Sequence, residues 1–211
     1  MMTQFIILLK VGGRIVVMDL WDLLRSVFAL FIVVDPIGQI PIFIELTRDM
    51  NKEGRRKAFR TAILTGSILL LVFALAGQQL FSLFGISLYS FMIAGGILLL
   101  LLSIEIIVRI EWTRKYASVE DVGVVPVAFP LLVGPGAITT TIVTLQASGI
   151  VIALSSILIV MLIAWVALRL IDRIHRLLGN TGSTVIARVL AVFVAAIAIQ
   201  FILTGIRFYY P

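Results

Sequence analysis

The chain has no cysteine and only one histidine, His175, among its 211 residues. Without cysteine there are no disulfides, thiol nucleophiles or thiolate metal ligands. A lone histidine also lacks the second histidine or cysteine that metal-ligand spacings require, so we predict no metal site. No Ser/His or His/Glu constellation typical of hydrolases is present, and nothing indicates an organic cofactor. We therefore predict that the protein is not an enzyme.

Charged residues are also scarce. They make up 13% of the chain, against about 25% in a soluble domain, while 61% of the residues are hydrophobic. This composition indicates a multi-pass membrane protein whose principal solvent is the lipid bilayer. The formal net charge of +6 is typical of basic cytoplasmic loops, and we predict no nucleic-acid partner.

Six stretches approach or exceed the roughly 20 apolar residues that a helix needs to cross the hydrocarbon core. They are residues 21–46, 61–84, 88–108, 122–145, 149–170 and 185–206. Thirteen of the seventeen basic residues fall in or beside the first, third and fifth connections. The positive-inside rule places these connections in the cytoplasm. We predict a cell inner-membrane protein with both termini outside, on the periplasmic face.

The first seventeen residues fit this scheme poorly. Residues 5–18 are apolar, but the stretch is short and is interrupted by Lys10 and Arg14. We treat 1–17 as an N-terminal extension and 18–211 as a single transmembrane domain. One interpretation of the extension is a mis-called start codon, with Met18 as the true first residue. The alternative is a seventh helix.

Two segments about a hundred residues apart each place a Pro/Gly cluster inside an apolar stretch. They read VDPIGQIP at 34–41 and VGPGAITT at 133–140. Each half of the chain contains three predicted spans, which inserts the second half upside down. We therefore predict an all-α fold of two inverted three-helix repeats, 21–108 and 122–206, with helices 1 and 4 broken at mid-membrane. Paired breaks of this kind indicate a transporter binding site.

The breaks leave backbone groups that hydrocarbon cannot satisfy, so they are expected to face a cavity. The predicted helix-breaking residues are Pro36, Pro41 and Pro135. Half-helices beginning near Ile37 and Gly136 would then point their N–H ends into the cavity. Such ends suit a carboxylate, and the freed carbonyl groups suit an ammonium group or a cation.

Asp35 is the principal candidate residue, because a carboxylate within a span is costly and is by default functional. It could bind a substrate amine, bind a proton or Na⁺ as the coupling ion, or cap the half-helix that follows. The other predicted substrate-binding residues flank the two breaks: Gly38, Gly134, Gly136, Thr139 and Thr140. The threonine hydroxyls could bind substrate or bond back to their own helix.

The chain resembles the MarC family, which is related to the LysE-type exporters. The resemblance rests on DPIGQIPIF at 35–43, FPLLVGPGAI at 129–138 and AIQFILTGI at 198–206. It implies a six-span inner-membrane protein, and some relatives are proton-linked transporters of glycine and alanine. The extension lies outside the resemblance.

The leading hypothesis is a secondary transporter or exporter of small neutral amino acids that works by alternating access. Its partners would be the amino acid and a coupling proton or Na⁺, and no oligomeric state is predicted. A channel is the first alternative, but no span carries a continuous polar stripe. A structural or assembly role without transport is the second.

Overall fold

The computed structural model describes residues 6–11, 14–47, 50–108 and 123–209. Within these ranges the chain forms a helical bundle preceded by a β-hairpin. The hairpin pairs β1 (Ile6–Val11) with β2 (Arg14–Asp19), antiparallel. The helices are α1 (Leu20–Val34), α2 (Ile40–Leu46), α3 (Lys52–Leu83), α4 (Leu88–Val108), α5 (Gly123–Leu132), α6 (Pro135–Arg169) and α7 (Ile171–Tyr209).

The hairpin departs from the all-α expectation and from the interpretation of the extension as a seventh helix. Its strands are rich in isoleucine and valine, whose branched side chains favour extended backbone. The described part of the extension pairs with the residues just before α1, from Ile6 with Asp19 to Val11 with Arg14. The first helix, α1, begins directly after the hairpin, at Leu20.

Four helical segments in the described part of the chain are long and apolar enough to cross a membrane. They are Lys52–Leu83, Leu88–Val108, Pro135–Arg169 and Thr184–Tyr209. The predicted span 21–46 is built from α1 and α2, and 122–145 from α5 and the start of α6. The six predicted stretches are thus helical for most of their length, and two of them are interrupted.

Two of the long helices contain a glycine with positive φ. Gly149 within α6 has φ 84°, and Gly179 within α7 has φ 67°. Only glycine adopts this conformation without steric cost, so each position lets the chain change direction. Gly149 separates the segment after the second break from the predicted fifth span.

Small residues allow the helices to pack closely. Gly66 of α3 lies against Val133 and Met161, since a Cβ built there would be 3.0 and 3.2 Å from their side chains. In α4, a Cβ at Gly96 would lie 2.7 Å from the carbonyl oxygen of Ala198 in α7. Close backbone approach at glycine is a common way for membrane helices to associate.

The helix α5 is irregular, which the sequence analysis did not predict. Val125 and Phe129 have extended backbone angles (φ −130°, ψ 125° and φ −131°, ψ 132°). Each directly precedes a proline, Pro126 or Pro130, and the proline ring disfavours helical geometry at the preceding residue. The second broken span is therefore irregular before its break as well as at it.

Candidate substrate-binding cavity

The first predicted break lies between α1 and α2. Helix α1 ends at Val34, and Asp35 has a left-handed backbone with φ 40°. Residues 36–39 form a turn, and α2 begins only at Ile40, with Gln39 at its N-cap. The predicted half-helix start near Ile37 is therefore wrong by about one turn. The seven-residue α2 is also too short to act as an extended dipole aimed at a ligand.

The Asp35 side chain stabilises this turn. Its Oδ1 accepts a hydrogen bond from the Gly38 backbone N–H at 3.0 Å. A Cβ at Gly38 would collide with the same carboxylate, so the capped turn requires glycine there. Asp35 thus caps the turn, as one of the sequence interpretations proposed, although the helix it precedes begins later than expected. A carboxylate has further lone pairs, which leaves it able to accept from a ligand.

The second predicted break lies between α5 and α6. Helix α6 begins at Pro135, and its N-cap Gly134 is extended and provides no side-chain hydrogen bond. The first-turn N–H groups of α6 therefore lack the side-chain cap that many helices have. A Cβ at Gly134 would lie 2.7 Å from the Pro130 carbonyl oxygen, and one at Gly136 would lie 2.7 Å from the Phe201 ring. Both glycines thus permit close approach at the break.

Gln39 connects the two breaks. Its Nε2 donates to the Val34 carbonyl at 2.9 Å and to the Leu131 carbonyl at 3.3 Å. Neither carbonyl accepts from the backbone N–H four residues on, as it would in a continuous α-helix. Gly38 N–H, four residues after Val34, is bonded to Asp35, and Pro135, four residues after Leu131, has no N–H. The amide of Gln39 replaces both missing donors.

The orientation of the Gln39 amide follows from these contacts. Two carbonyl oxygens face Nε2, and only the NH₂ group can donate to them, so Oε1 must point elsewhere. The residue is only 9% exposed, and Oε1 is buried without a hydrogen-bond partner among the described residues. A buried acceptor without a partner is unusual in a native fold and calls for an explanation. One explanation is a bound ligand that donates a hydrogen bond to Oε1.

A cavity of about 480 Å³ lies beside the breaks. Pockets of roughly 300–1,000 Å³ are typical for small molecules. Its lining includes all six residues predicted to bind substrate: Asp35, Gly38, Gly134, Gly136, Thr139 and Thr140. The three predicted helix-breaking prolines, Pro36, Pro41 and Pro135, do not line it. Pro36 and Pro135 lie at the two breaks, whereas Pro41 lies in the first turn of α2, where a missing N–H is tolerated, and does not break a helix.

The two predicted threonines contribute differently. The Thr139 hydroxyl donates to the Pro135 carbonyl at 2.7 Å, which leaves only its oxygen lone pairs for a ligand. Thr140 is half-buried and lines the cavity, and no hydrogen bond of its hydroxyl appears within the described part of the chain. The neighbouring Thr141 is buried, donates to Ala137 at 2.8 Å and does not line the cavity.

Apolar side chains form much of the remaining wall. They come from α4 and α7: Met92, Leu99, Leu190, Phe193, Val194, Ile197 and Phe201. The polar side chains and the uncapped amides lie at the breaks, so the cavity combines a few polar groups with a largely apolar lining. This combination suits a small ligand that carries charges and a short apolar side chain.

Sequence reasoning missed two features of this cavity. Gln39 was noted only as part of the first motif and was not predicted to be a functional residue. An amide side chain beside a helix break can donate to carbonyl groups that the break leaves unpaired, and this signal was available in the sequence. The apolar wall from α4 and α7 has no local signal, because these helices are apolar throughout and only the packing shows which face lines the cavity.

Comparison with known proteins places the chain in a family. The profile described as "MarC family integral membrane protein" matches residues 20–210. A UPF0056 membrane protein of Archaeoglobus fulgidus is 36% identical over 204 residues, covering 90% of this chain and 96% of its own. The UPF0056 membrane protein YhcE of Escherichia coli is 36% identical over 197 residues, covering 86% and 90%. No solved structure matches. The chain belongs to the MarC family of integral membrane proteins, as its motifs indicated.

Proposed function

We propose that the protein is a secondary transporter of small neutral amino acids of the glycine and alanine class. The observation that carries this proposal is the cavity between two helix breaks, lined by a carboxylate and by the residues of an uncapped helix N-terminus. The transporter would work by alternating access in the cell inner membrane, with both termini outside.

The chemistry of the cavity supports this substrate class. The N-terminus of α6 carries a partial positive charge and free N–H groups, which suit a substrate carboxylate. Asp35 suits the substrate ammonium group. The apolar wall accommodates a hydrogen or a methyl group but offers no partner for a polar side chain. Glycine and alanine meet all three conditions.

Alternating access requires two parts that move against each other around the site. The broken helix of each predicted repeat packs on the other repeat, α2 against α7 and α6 against α1. Helices α4 and α7, the last of each repeat, run antiparallel, with Gly96 near Ala198 and Gly205 near Tyr89. Two inverted repeats would place their equivalent helices in opposite directions, as is seen for α4 and α7.

The ends of the helices pair as the predicted topology requires. The Tyr209 hydroxyl lies 2.6 Å from Ser87 Oγ and 2.8 Å from Ser90 Oγ, so the end of α7 adjoins the start of α4. Thr184 donates to Glu45 Oε2 at 3.1 Å, so the start of the last span adjoins the end of α2. These two contacts place each pair of ends on the same side of the bundle, as the proposed topology needs, and the charge pattern of the sequence is the basis for assigning the former side to the outside and the latter to the cytoplasm.

Asp35 is also the proposed proton site. A charged carboxylate within the membrane is unfavourable unless it is paired, and either a substrate ammonium or a proton would relieve it. Exchange between these two states would couple substrate movement to proton movement.

Two substitutions of Asp35 separate its charge from its structural role. Asp35→Asn keeps an oxygen that can accept from Gly38 N–H, while Asp35→Ala removes both the charge and the cap. In proteoliposomes we expect uptake of labelled alanine to fall to background in both variants, while only Asp35→Ala melts at a lower temperature. Wild-type uptake in Asp35→Asn would refute the proposed site. If an imposed pH gradient does not change alanine flux through the wild-type protein, proton coupling is excluded but the proposed substrate site is not.

A further inference from the structure

A second cavity, of about 440 Å³, lies away from the breaks, between the start of α3 and the end of α6. Four arginines line it: Arg55, Arg56, Arg60 and Arg169. None of its lining residues lines the first cavity. By the predicted topology it opens toward the cytoplasm.

The four arginines converge on one space although Arg169 lies more than a hundred residues after Arg60 in the sequence. Among the residues whose side chains the structure describes, no acidic side chain lines the cavity. The positive-inside rule requires basic residues near the cytoplasmic ends of spans, but it does not require them to share a cavity. The positive-inside rule therefore does not explain why the four arginines line the same cavity.

The placement on α3 is unfavourable for the helix itself. Arg55 lies in the first turn of α3, where the helix dipole disfavours positive charge. Arg56 and Arg60 are also four residues apart, a spacing at which like charges destabilise a helix. A bound anion would reduce both penalties, since its charge is opposite to that of Arg56 and Arg60 and is favoured near a helix N-terminus.

Two guanidinium groups are held in place by neighbours. The Arg169 guanidinium carbon lies 3.8 Å from the centroid of the Trp165 ring, a cation–π contact. Arg55 Nη2 donates to the Thr47 carbonyl at 3.3 Å. Planar guanidinium groups fixed in this way bind phosphate oxygens in a bidentate manner. Phe59 adds an apolar surface beside them.

We propose that this cavity is a binding site for a phosphate group. The group would be carried either by an anionic phospholipid at the cytoplasmic surface or by free phosphate in solution. The site is separate from the proposed amino-acid site and does not depend on transport.

The test uses the purified full-length protein in a neutral detergent and measures its melting temperature. One arm adds sodium phosphate, with sodium chloride at equal ionic strength as reference. The other adds short-chain phosphatidylglycerol, with short-chain phosphatidylcholine as reference. Arg56→Gln/Arg169→Gln removes two lining charges. The matched control, Arg188→Gln/Arg207→Gln, removes the same charge from residues that do not line the cavity.

We expect a saturable stabilisation in at least one arm, because a ligand that binds only the folded state raises its stability. The concentration for half-maximal effect should rise at least about tenfold in Arg56→Gln/Arg169→Gln, since charge-assisted contacts are lost. It should stay the same in the control pair. Response in the phosphate arm identifies free phosphate as sufficient, and response in the phosphatidylglycerol arm alone identifies lipid.

A third variant covers the case in which the double substitution fails to fold. Arg169→Lys keeps the positive charge but loses the planar fork, and it should weaken the response in the arm that showed one. No saturable stabilisation in either arm would overturn the proposal. So would an equal response in the wild type and in the folded cavity variants.

Discussion

Replacement of Gln39 by methionine tests whether one side chain connects the two helix breaks. Methionine has nearly the same length and flexibility as glutamine but cannot donate a hydrogen bond. Gln39→Met therefore removes the bonds to the Val34 and Leu131 carbonyls while it still fills most of the space. Val34 and Leu131 are both buried, so their carbonyls have little access to water.

The magnitude follows from three buried polar atoms. Each carbonyl left without a donor costs about 1–3 kcal/mol, or about 2–6 kcal/mol for both. The substitution also removes Oε1, which is buried without a partner in the described part of the chain and has a similar cost of about 1–3 kcal/mol. The net loss of stability is therefore about 1–3 kcal/mol. For a soluble chain of this length that corresponds to a fall of about 2–12 °C in melting temperature.

Thermal unfolding of the purified protein measures this effect. Gln78→Met is the matched control, because Gln78 is exposed and its one hydrogen bond within the described part of the chain is to Gln146, at 3.3 Å. Surface changes of that kind stay within about 0.5 kcal/mol. Equal melting temperatures for the Gln39 and Gln78 variants would refute the connection. A fall for Gln39→Met alone would establish that the amide holds the breaks together.

Two further predictions concern the second break. Gly134→Ala should lower stability by about 1–3 kcal/mol in thermal unfolding, since its methyl group meets the Pro130 backbone. Gly136→Ala should have a smaller effect, because its neighbours are the ends of side chains; the opposite order would contradict this packing. Thr140→Val should keep the wild-type melting temperature but weaken alanine binding about threefold to tenfold, measured by equilibrium binding. Thr141→Val should leave alanine binding unchanged. An equal loss of alanine affinity in the Thr140 and Thr141 variants would refute the assignment of Thr140 to the binding site.

The positions of the helix breaks could be read from the sequence. Proline and glycine act on their own backbone and on the nearest turn, so 35–36 and 134–136 interrupt their helices whatever surrounds them. The same local rule, applied to Pro126 and Pro130, would have predicted the irregular α5. That signal was present and was not used.

The start of α2 depended on a less obvious local contact. The Asp35 carboxylate binds Gly38 N–H and holds residues 36–39 in a turn, which delays the helix to Ile40. The sequence permitted capping at Asp35, but it did not fix where the capped segment would become helical. The six-span inverted arrangement and its membrane orientation remain predictions from charge and hydropathy.

By itself, the sequence determined the membrane class, the family and the two breaks, because composition and local sterics act without tertiary context. Only the tertiary structure showed that the predicted substrate-binding residues line one cavity and that Gln39 joins the breaks across 92 residues. Only the tertiary structure brought Arg169 beside the arginines of α3. All three results depend on which helix faces pack together. Uniformly apolar helices carry no periodic pattern that would reveal those faces in advance.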